Sequence, residues 1–287
     1  MKNRIMQLRT LVSQLLPRHL NAAACVAFNR TRPIHANWGD ELNYYFLPRL
    51  FRRRICIVDY SWLCRFGLQR EYLIIGSTIG LKCTRRTTIW GAGVLSADAE
   101  LPEAPEKVLA VRGPRTRQYL LSKGVDCPEV YGDPAMLLPL VYRPRIISKK
   151  RTLGIIPHYN DLHSDVLRRY EMFHPGCTVI NLRHYERWTD VIDSICSCEA
   201  VITSSLHGLI AAVTYGIPHV WAHISPGSII GGEFKFRDFL ESIGQGNTEC
   251  HSLERAESAL TDWKPLQWSA APLIRSAPFP IMPCHAN

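Results

Sequence analysis

The chain has 287 residues, 46% of them hydrophobic and 21% charged, a composition that fits a soluble globular protein with one large or two modest domains and excludes a disordered or fibrous chain. Its net charge of +9 and pI near 9.1 favour anionic partners such as phosphorylated metabolites, but the basic residues are scattered and no nucleic-acid motif lies among them, so nucleic acid is not an expected partner. None of the ten cysteines belongs to a Cys-x-x-Cys pair, which argues against a disulfide framework or a zinc ribbon and for free thiols in a reducing, cytoplasmic setting.

In chain order, Ile5, Leu8, Leu11, Val12, Leu15 and Leu16 recur at helical spacing with Lys2, Arg4 and Arg9 between them. Gln14, Pro17, Arg18 and His19 interrupt any secretory core, and no apolar run reaches the roughly 20 residues that span a bilayer. Residues 1–30 therefore read as an amphipathic N-terminal segment. Its first twenty residues are a candidate for peripheral contact at the inner face of the cytoplasmic membrane, with packing onto the protein itself as the competing reading. Asn37-Trp38-Gly39-Asp40 then reads as a turn, Asp40 being the cap or first-turn acid of a helix reaching about residue 50, with Leu42, Phe46 and Leu50 on one face.

Strands are predicted over residues 54–59, 72–75 and 88–90. Gly76-Ser77-Thr78-Ile79-Gly80 follows the second and Gly91-Ala92-Gly93 the third. Small residues there admit a ligand or a helix close to the backbone. Neither is a full Gly-x-Gly-x-x-Gly fingerprint, so a nicotinamide or flavin site is not indicated. A strand ending near Val111 leads through Arg112-Gly113-Pro114 into a helix that stops at Gly124. Arg112, at the strand's carboxyl end, suits a carboxylate or phosphate held by its planar fork; a surface salt bridge is the alternative. Asp133, held extended before Pro134, anchors a further turn.

Residues 139–151 read as a linker, after which the pattern restarts. A strand over 153–157 ends at His158, a helix covers 164–171, a strand 177–183 and a helix 187–196. Val201 and Ile202 end another strand. Ser204 and Ser205 offer a cap to a helix over 206–215, and a strand follows at 217–221. His207 and Gly208 thus lie in the first turn of a helix whose N-terminus favours an anion. Gly231-Gly232 feed a helix carrying Lys235 and Arg237 near its start. The Pro- and Ala-rich tail, 246–287, is expected to cross back onto the first domain. The pattern predicts an α/β protein of two Rossmann-like domains with mostly parallel sheets, 31–142 and 152–245, and an active site in the cleft between them.

Asn-Trp-Gly-Asp (37–40), Gly-Ala-Gly (91–93), Val-Arg-Gly-Pro-Arg-Thr (111–116), Gly-Asp-Pro-Ala (132–135), Ile-Pro-His (156–158), Ser-Ser-Leu-His-Gly (204–208) and Phe-Lys-Phe-Arg-Asp-Phe-Leu (234–240), in this order, resemble the polysaccharide pyruvyl transferase family, most of all members working on bacterial exopolysaccharide or lipopolysaccharide. The resemblance spans roughly residues 35–245. It implies a GT-B-like fold with acceptor side 31–142 and donor side 152–245. It also implies pyruvyl transfer from phosphoenolpyruvate, as co-substrate, to a hexose of a surface polysaccharide or its lipid-linked precursor, forming a pyruvate ketal. Arg112, Leu206 and His207 match donor-binding positions. Some relatives have Arg before Leu-His; here Ser205 stands there, and Lys235 is the candidate for the missing anion contact. Ser204, Ser205 and Gly208 belong to the same donor-binding helix start. His207 is the expected phosphate ligand and acid, and His158 or Asp40 the base. Asn37, Gly39, Gly91, Gly93 and Asp133 are acceptor-side or structural. No cofactor and no metal are expected. The alternatives are a GT-B glycosyltransferase using a nucleotide sugar and a non-catalytic carbohydrate-binding relative.

Overall fold

The computed structural model describes residues 2–144, 151–225, 227, 231–261 and 263–283. Along the chain the strands are β1 (His19–Ala22), the short antiparallel pair β2 (Phe28–Asn29) and β3 (Arg32–Pro33), then β4 (Arg54–Ile57), β5 (Glu71–Leu73), β6 (Thr87–Trp90) and β7 (Lys107–Ala110). Next come β8 (Arg151–Ile156), β9 (Cys177–Val179), β10 (Cys198–Thr203), β11 (His219–His223) and β12 (His251–Ser252). Two five-stranded sheets result, in the orders β4-β1-β5-β6-β7 and β12-β11-β10-β8-β9, and every pairing within them is parallel. If each sheet's strands are counted from its own first, both follow the order 2-1-3-4-5, the second read from its far edge. This is one of the two common doubly wound orders. The central strands are apolar runs because helices cover both faces: Thr87 to Trp90 is buried throughout, as is Val201 to Thr203.

The structure departs from the sequence pattern in a few places, each with a local cause. Residues 19–22, inside the N-terminal segment, form the strand that pairs with both β4 and β5. The sequence His-Leu-Asn-Ala hides it, because the buried Asn21 spends its side chain on Gln14, Gln69 and the Arg70 carbonyl. The helix predicted from Asp40 begins at Trp38, capped by Asn37, whose side chain accepts the Gly39 N–H. It breaks at Phe46, and a second helix, Leu47–Phe51, starts with Pro48 in its first turn, where a missing N–H costs nothing. The strand predicted over 177–183 stops at Val179, where Asn181 turns the chain by accepting the Arg183 N–H at 2.8 Å in an Asx turn.

The two sheets share a continuous core. Trp38, fully buried, donates through its indole to the Trp188 carbonyl at 2.8 Å and through its backbone to Leu182 at 3.1 Å. The tail also reaches the first sheet: the Leu273 carbonyl accepts the Trp90 indole N–H at 3.1 Å, and Phe279 packs on Phe51 and Tyr72. The described cysteines carry free thiols. Among the described residues no helix is long and apolar enough to cross a membrane.

Candidate functional site

In a doubly wound sheet the loops leaving the first and third strands diverge to opposite faces and leave a crevice at the carboxyl ends. Here these switch points are β1/β5 and β8/β10. Cys25 follows β1, Ser77 and Thr78 follow β5, Pro157 to Tyr159 follow β8, and Ser205 to His207 follow β10; all line a single cavity of about 320 Å³. Asn37, Asp40 and Lys235 complete its polar wall.

His207 stands in the first turn of the helix Leu206–Thr214. Its imidazole lies against the backbone of Gly39, where a Cβ would come within 1.9 Å of Nδ1. Its Nε2 is buried with no hydrogen-bond partner in the protein. Burial above all, then the charges of Arg112 and Lys235, push its pKa down to about 3, so the ring is neutral. A buried polar atom without a partner costs stability, and on a cavity wall a ligand is its natural complement.

The cap of this helix is Ser205, whose Oγ accepts the Gly208 N–H at 3.5 Å. Ser204, expected at the helix start as a donor-binding residue, is instead buried off the cavity wall. Its Oγ accepts the His158 N–H at 2.8 Å and donates to Asp161 at 3.1 Å, so it fixes the His158 loop. Gly208 serves packing, since a Cβ there would meet Thr203 Oγ1 at 2.7 Å and Ile156 Cγ2 at 2.8 Å.

His158 is pushed down to about 4, by burial first and then by Lys235. The Asn160 N–H donates to its Nδ1 at 3.3 Å. The neutral ring therefore carries its proton on Nε2, where it donates rather than accepts. Asp40 is half-buried, and Asn37 Nδ2 donates to its Oδ2 at 2.9 Å. Burial raises it to about 7 against the opposing pull of Lys235 and of Asn37. Lys235, 8% exposed, is lowered to about 8 by burial and then by Arg112, while Asp40 acts the other way.

Arg112 is not on the cavity wall. Its fully buried guanidinium pairs through Nε with Asp238 at 2.9 Å and donates to the Val94 carbonyl at 2.8 Å and to Ser77 Oγ at 2.5 Å. The open fork expected from sequence is thus engaged inside the protein, and Arg112 acts on the cavity through Ser77 and through its charge. Gly93 makes room for it, as a Cβ there would lie 2.3 Å from its Cζ. Gly91, at φ +86, clears Pro134, and Asp133 caps the turn that follows by accepting the Ala135 N–H at 2.9 Å. These three residues support the wall from behind.

Sequence patterns did not single out Thr78, whose buried Oγ1 lacks a partner, or Tyr159 and the exposed Arg183 at the cavity mouth, where the guanidinium lies 5.8 Å from the Tyr159 ring. The Gly76-Ser77-Thr78 run after a strand was the available signal for Thr78. Away from the cavity, His223, Glu233 and Cys250 bring three ligand atoms within 4.8 Å of one another. They are too far apart in sequence to form a metal motif, and Arg237 already holds Glu233 Oε2 at 3.1 Å, so its charge competes with any cation there.

A family model described as polysaccharide pyruvyl transferase matches residues 77–222, just over half of the 287-residue chain. The matched span holds Ser77, Thr78, Arg112, His158, Ser205 and His207. A relative, an uncharacterized protein of Acanthamoeba polyphaga mimivirus, is 26% identical over 213 residues, covering 72% of this chain and 71% of its own.

Proposed function

This chain belongs to the polysaccharide pyruvyl transferase family, and from that premise we propose that it transfers the pyruvyl group of phosphoenolpyruvate to two hydroxyls of a hexose, in a polysaccharide or its lipid-linked precursor, and closes them into a pyruvate ketal. The observation that carries this reading is the unpartnered Nε2 of His207, on one wall with the buried ammonium of Lys235 and with a carboxyl held near neutrality at Asp40. Two sheets of the same winding that contribute their carboxyl ends to one cavity support a GT-B-like arrangement, with the donor at His207 and Lys235.

The neutral His207, protonated on Nε2, donates to the donor phosphate, and Lys235 supplies positive charge. Ser77, oriented by Arg112, and Thr78 supply hydroxyls. Asp40, as the acid, gives its proton to C3 of the enol, and an oxocarbenium-like centre develops at C2. The first sugar hydroxyl adds there and returns its proton to the Asp40 carboxylate. The C2–O bond to phosphate then breaks, the second hydroxyl adds at C2, and its proton leaves with the phosphate. Two hydroxyl protons are thus accounted for, one ending in the new methyl group and one on phosphate. In this scheme the acid is Asp40 in place of His207, because a ring pushed down to about 3 holds no second proton to give.

Titration of the melting temperature with phosphoenolpyruvate, phosphate, pyruvate and UDP-glucose tests the reading. Selective stabilisation by phosphoenolpyruvate, about 2.7 kcal/mol at a hundred times Kd, is expected, and it is lost in Lys235→Ala and His207→Ala. Stabilisation by the nucleotide sugar alone would move the chain to the glycosyltransferases.

The pH dependence follows from the same groups. Asp40 keeps its proton up to about 7, so kcat is expected to fall as pH rises through that value. Lys235 keeps its charge up to about 8, so KM for phosphoenolpyruvate rises above it. Asp40→Asn is expected to lower kcat by roughly 10²- to 10⁴-fold with phosphoenolpyruvate binding retained. An Asp40→Asn enzyme with the wild-type pH profile would remove Asp40 from proton transfer.

A further inference from the structure

The helix Lys2–Leu15 lies on the protein by a face that carries Met6, Thr10 and Gln14. All three are buried, and Gln14 Nε2 donates to Asn21 Oδ1 and Ser61 Oγ, each at 2.7 Å. The apolar side faces out: Ile5 is 49% exposed, Leu8 61%, Val12 52% and Leu15 75%. Their i, i+3, i+7, i+10 spacing makes one continuous ridge. Beside it, the short helix Trp62–Arg65, whose Cys64 faces Gln14, leaves Phe66 largely and Trp62 partly exposed. Rotating the long helix to bury the ridge would break the buried hydrogen bonds of Gln14 to Asn21 and Ser61, so the outward display is built in. Such a contiguous apolar patch on a surface marks an interaction site.

We propose that this face docks on an anionic lipid bilayer. The choice of occupant rests on charge. The first acidic residue of the chain is Asp40, and Lys2, Arg4, Arg9, Arg18, Arg30 and Arg32 precede it. Arg4, Arg9 and Arg18 are exposed. Arg52 and Arg54, on the edge strand packed against the helix and the turn before it, are exposed as well. Asp59, on a turn touching the helix, is paired with Lys82 at 2.6 Å. An apolar ridge rimmed by uncompensated cations matches a surface with acyl chains below and phosphates at the level of the arginines. A second copy of the chain would bring its own arginines against these, so self-association through this face is opposed.

The test is co-sedimentation of the full chain with vesicles of phosphatidylcholine mixed with phosphatidylglycerol and with phosphatidylcholine alone, at low and high salt. Binding to the anionic vesicles is expected, and it weakens roughly tenfold at high salt or without the anionic lipid. Leu8→Glu/Leu15→Glu and Arg4→Glu/Arg9→Glu each lower it roughly tenfold or more. All four side chains are exposed, so melting temperature and phosphoenolpyruvate stabilisation stay at wild-type values, which shows that the variants are folded and separates this inference from the proposed transfer reaction. Equal sedimentation of wild type and Leu8→Glu/Leu15→Glu, or no sedimentation of either, overturns the proposal. So does a dimer that Leu8→Glu/Leu15→Glu dissolves without any vesicle binding.

Discussion

Gly39→Ala is expected to abolish pyruvyl transfer and to lower stability, although alanine is normally the better helix residue by roughly 0.5–1 kcal/mol. Gly39 lies in the helix Trp38–Tyr45 at a φ open to any residue, so its backbone does not require glycine. What requires it is His207: a Cβ would sit 1.9 Å from Nδ1, 2.1 Å from Cγ and 2.5 Å from Cε1. The ring is buried and its helix is packed on β10 and β11, so the imidazole must leave its place. Overpacking of this kind costs about 1–3 kcal/mol and takes Nε2 away from the proposed donor site. His207→Ala alone loses donor stabilisation but relieves no strain. In Gly39→Ala/His207→Ala the new methyl occupies the vacated space, so the double variant is expected to melt above Gly39→Ala. Calorimetry of the four proteins with a phosphate-release assay reads both effects. A Gly39→Ala enzyme with wild-type turnover and melting would show that the ring does not work from this position.

The contact between Gly39 and His207 also shows how far the site was legible before the structure. Both residues stood out in the sequence, one in a turn-like Asn-Trp-Gly-Asp and the other at a helix start, and both doubly wound halves were visible as alternating apolar runs and helices. That one residue exists to seat the other was not visible, because 168 positions separate them and no local pattern records the contact. The same limit explains Arg112. Its place at a strand's carboxyl end was readable, but its partner Asp238 lies on a distant helix, so an engaged ion pair and an open anion fork look alike in sequence. Ser204 and Ser205 were ambiguous because either hydroxyl can cap; the course of the β8 loop decided it by bringing the His158 N–H to Ser204. β1 escaped because its burial is paid for by hydrogen bonds of Asn21 rather than by an apolar run. The outward ridge of the first helix was legible as periodicity, while its direction depended on Gln14 finding Asn21 and Ser61.

The second large effect is expected at Asp238. It accepts Arg112 Nε at 2.9 Å, the Thr116 N–H at 2.8 Å and the Thr116 hydroxyl at 2.7 Å, and both charged side chains are fully buried. Asp238→Ala leaves the guanidinium buried with its charge uncompensated, which costs about 3–5 kcal/mol. Arg112→Met strands the carboxylate instead, at a similar cost, and removes the cation that, after burial, contributes most to lowering Lys235 and His207. The Lys235 pKa then rises, so the alkaline rise in KM for phosphoenolpyruvate moves above pH 8. Arg112→Met/Asp238→Leu removes both charges and keeps the volume, so its stability is expected to return close to wild type, with the Lys235 shift retained. If the ion pair only held the fold, this double variant would also recover wild-type kcat/KM at every pH. The charge behind the wall and the hydrogen bond to Ser77 are both missing from it, so weaker donor binding is expected to persist. Denaturant unfolding and the pH dependence of KM for the three variants separate the two effects. An unshifted alkaline limb in Arg112→Met would mean that Lys235 does not feel Arg112 and that the donor site draws its charge from elsewhere.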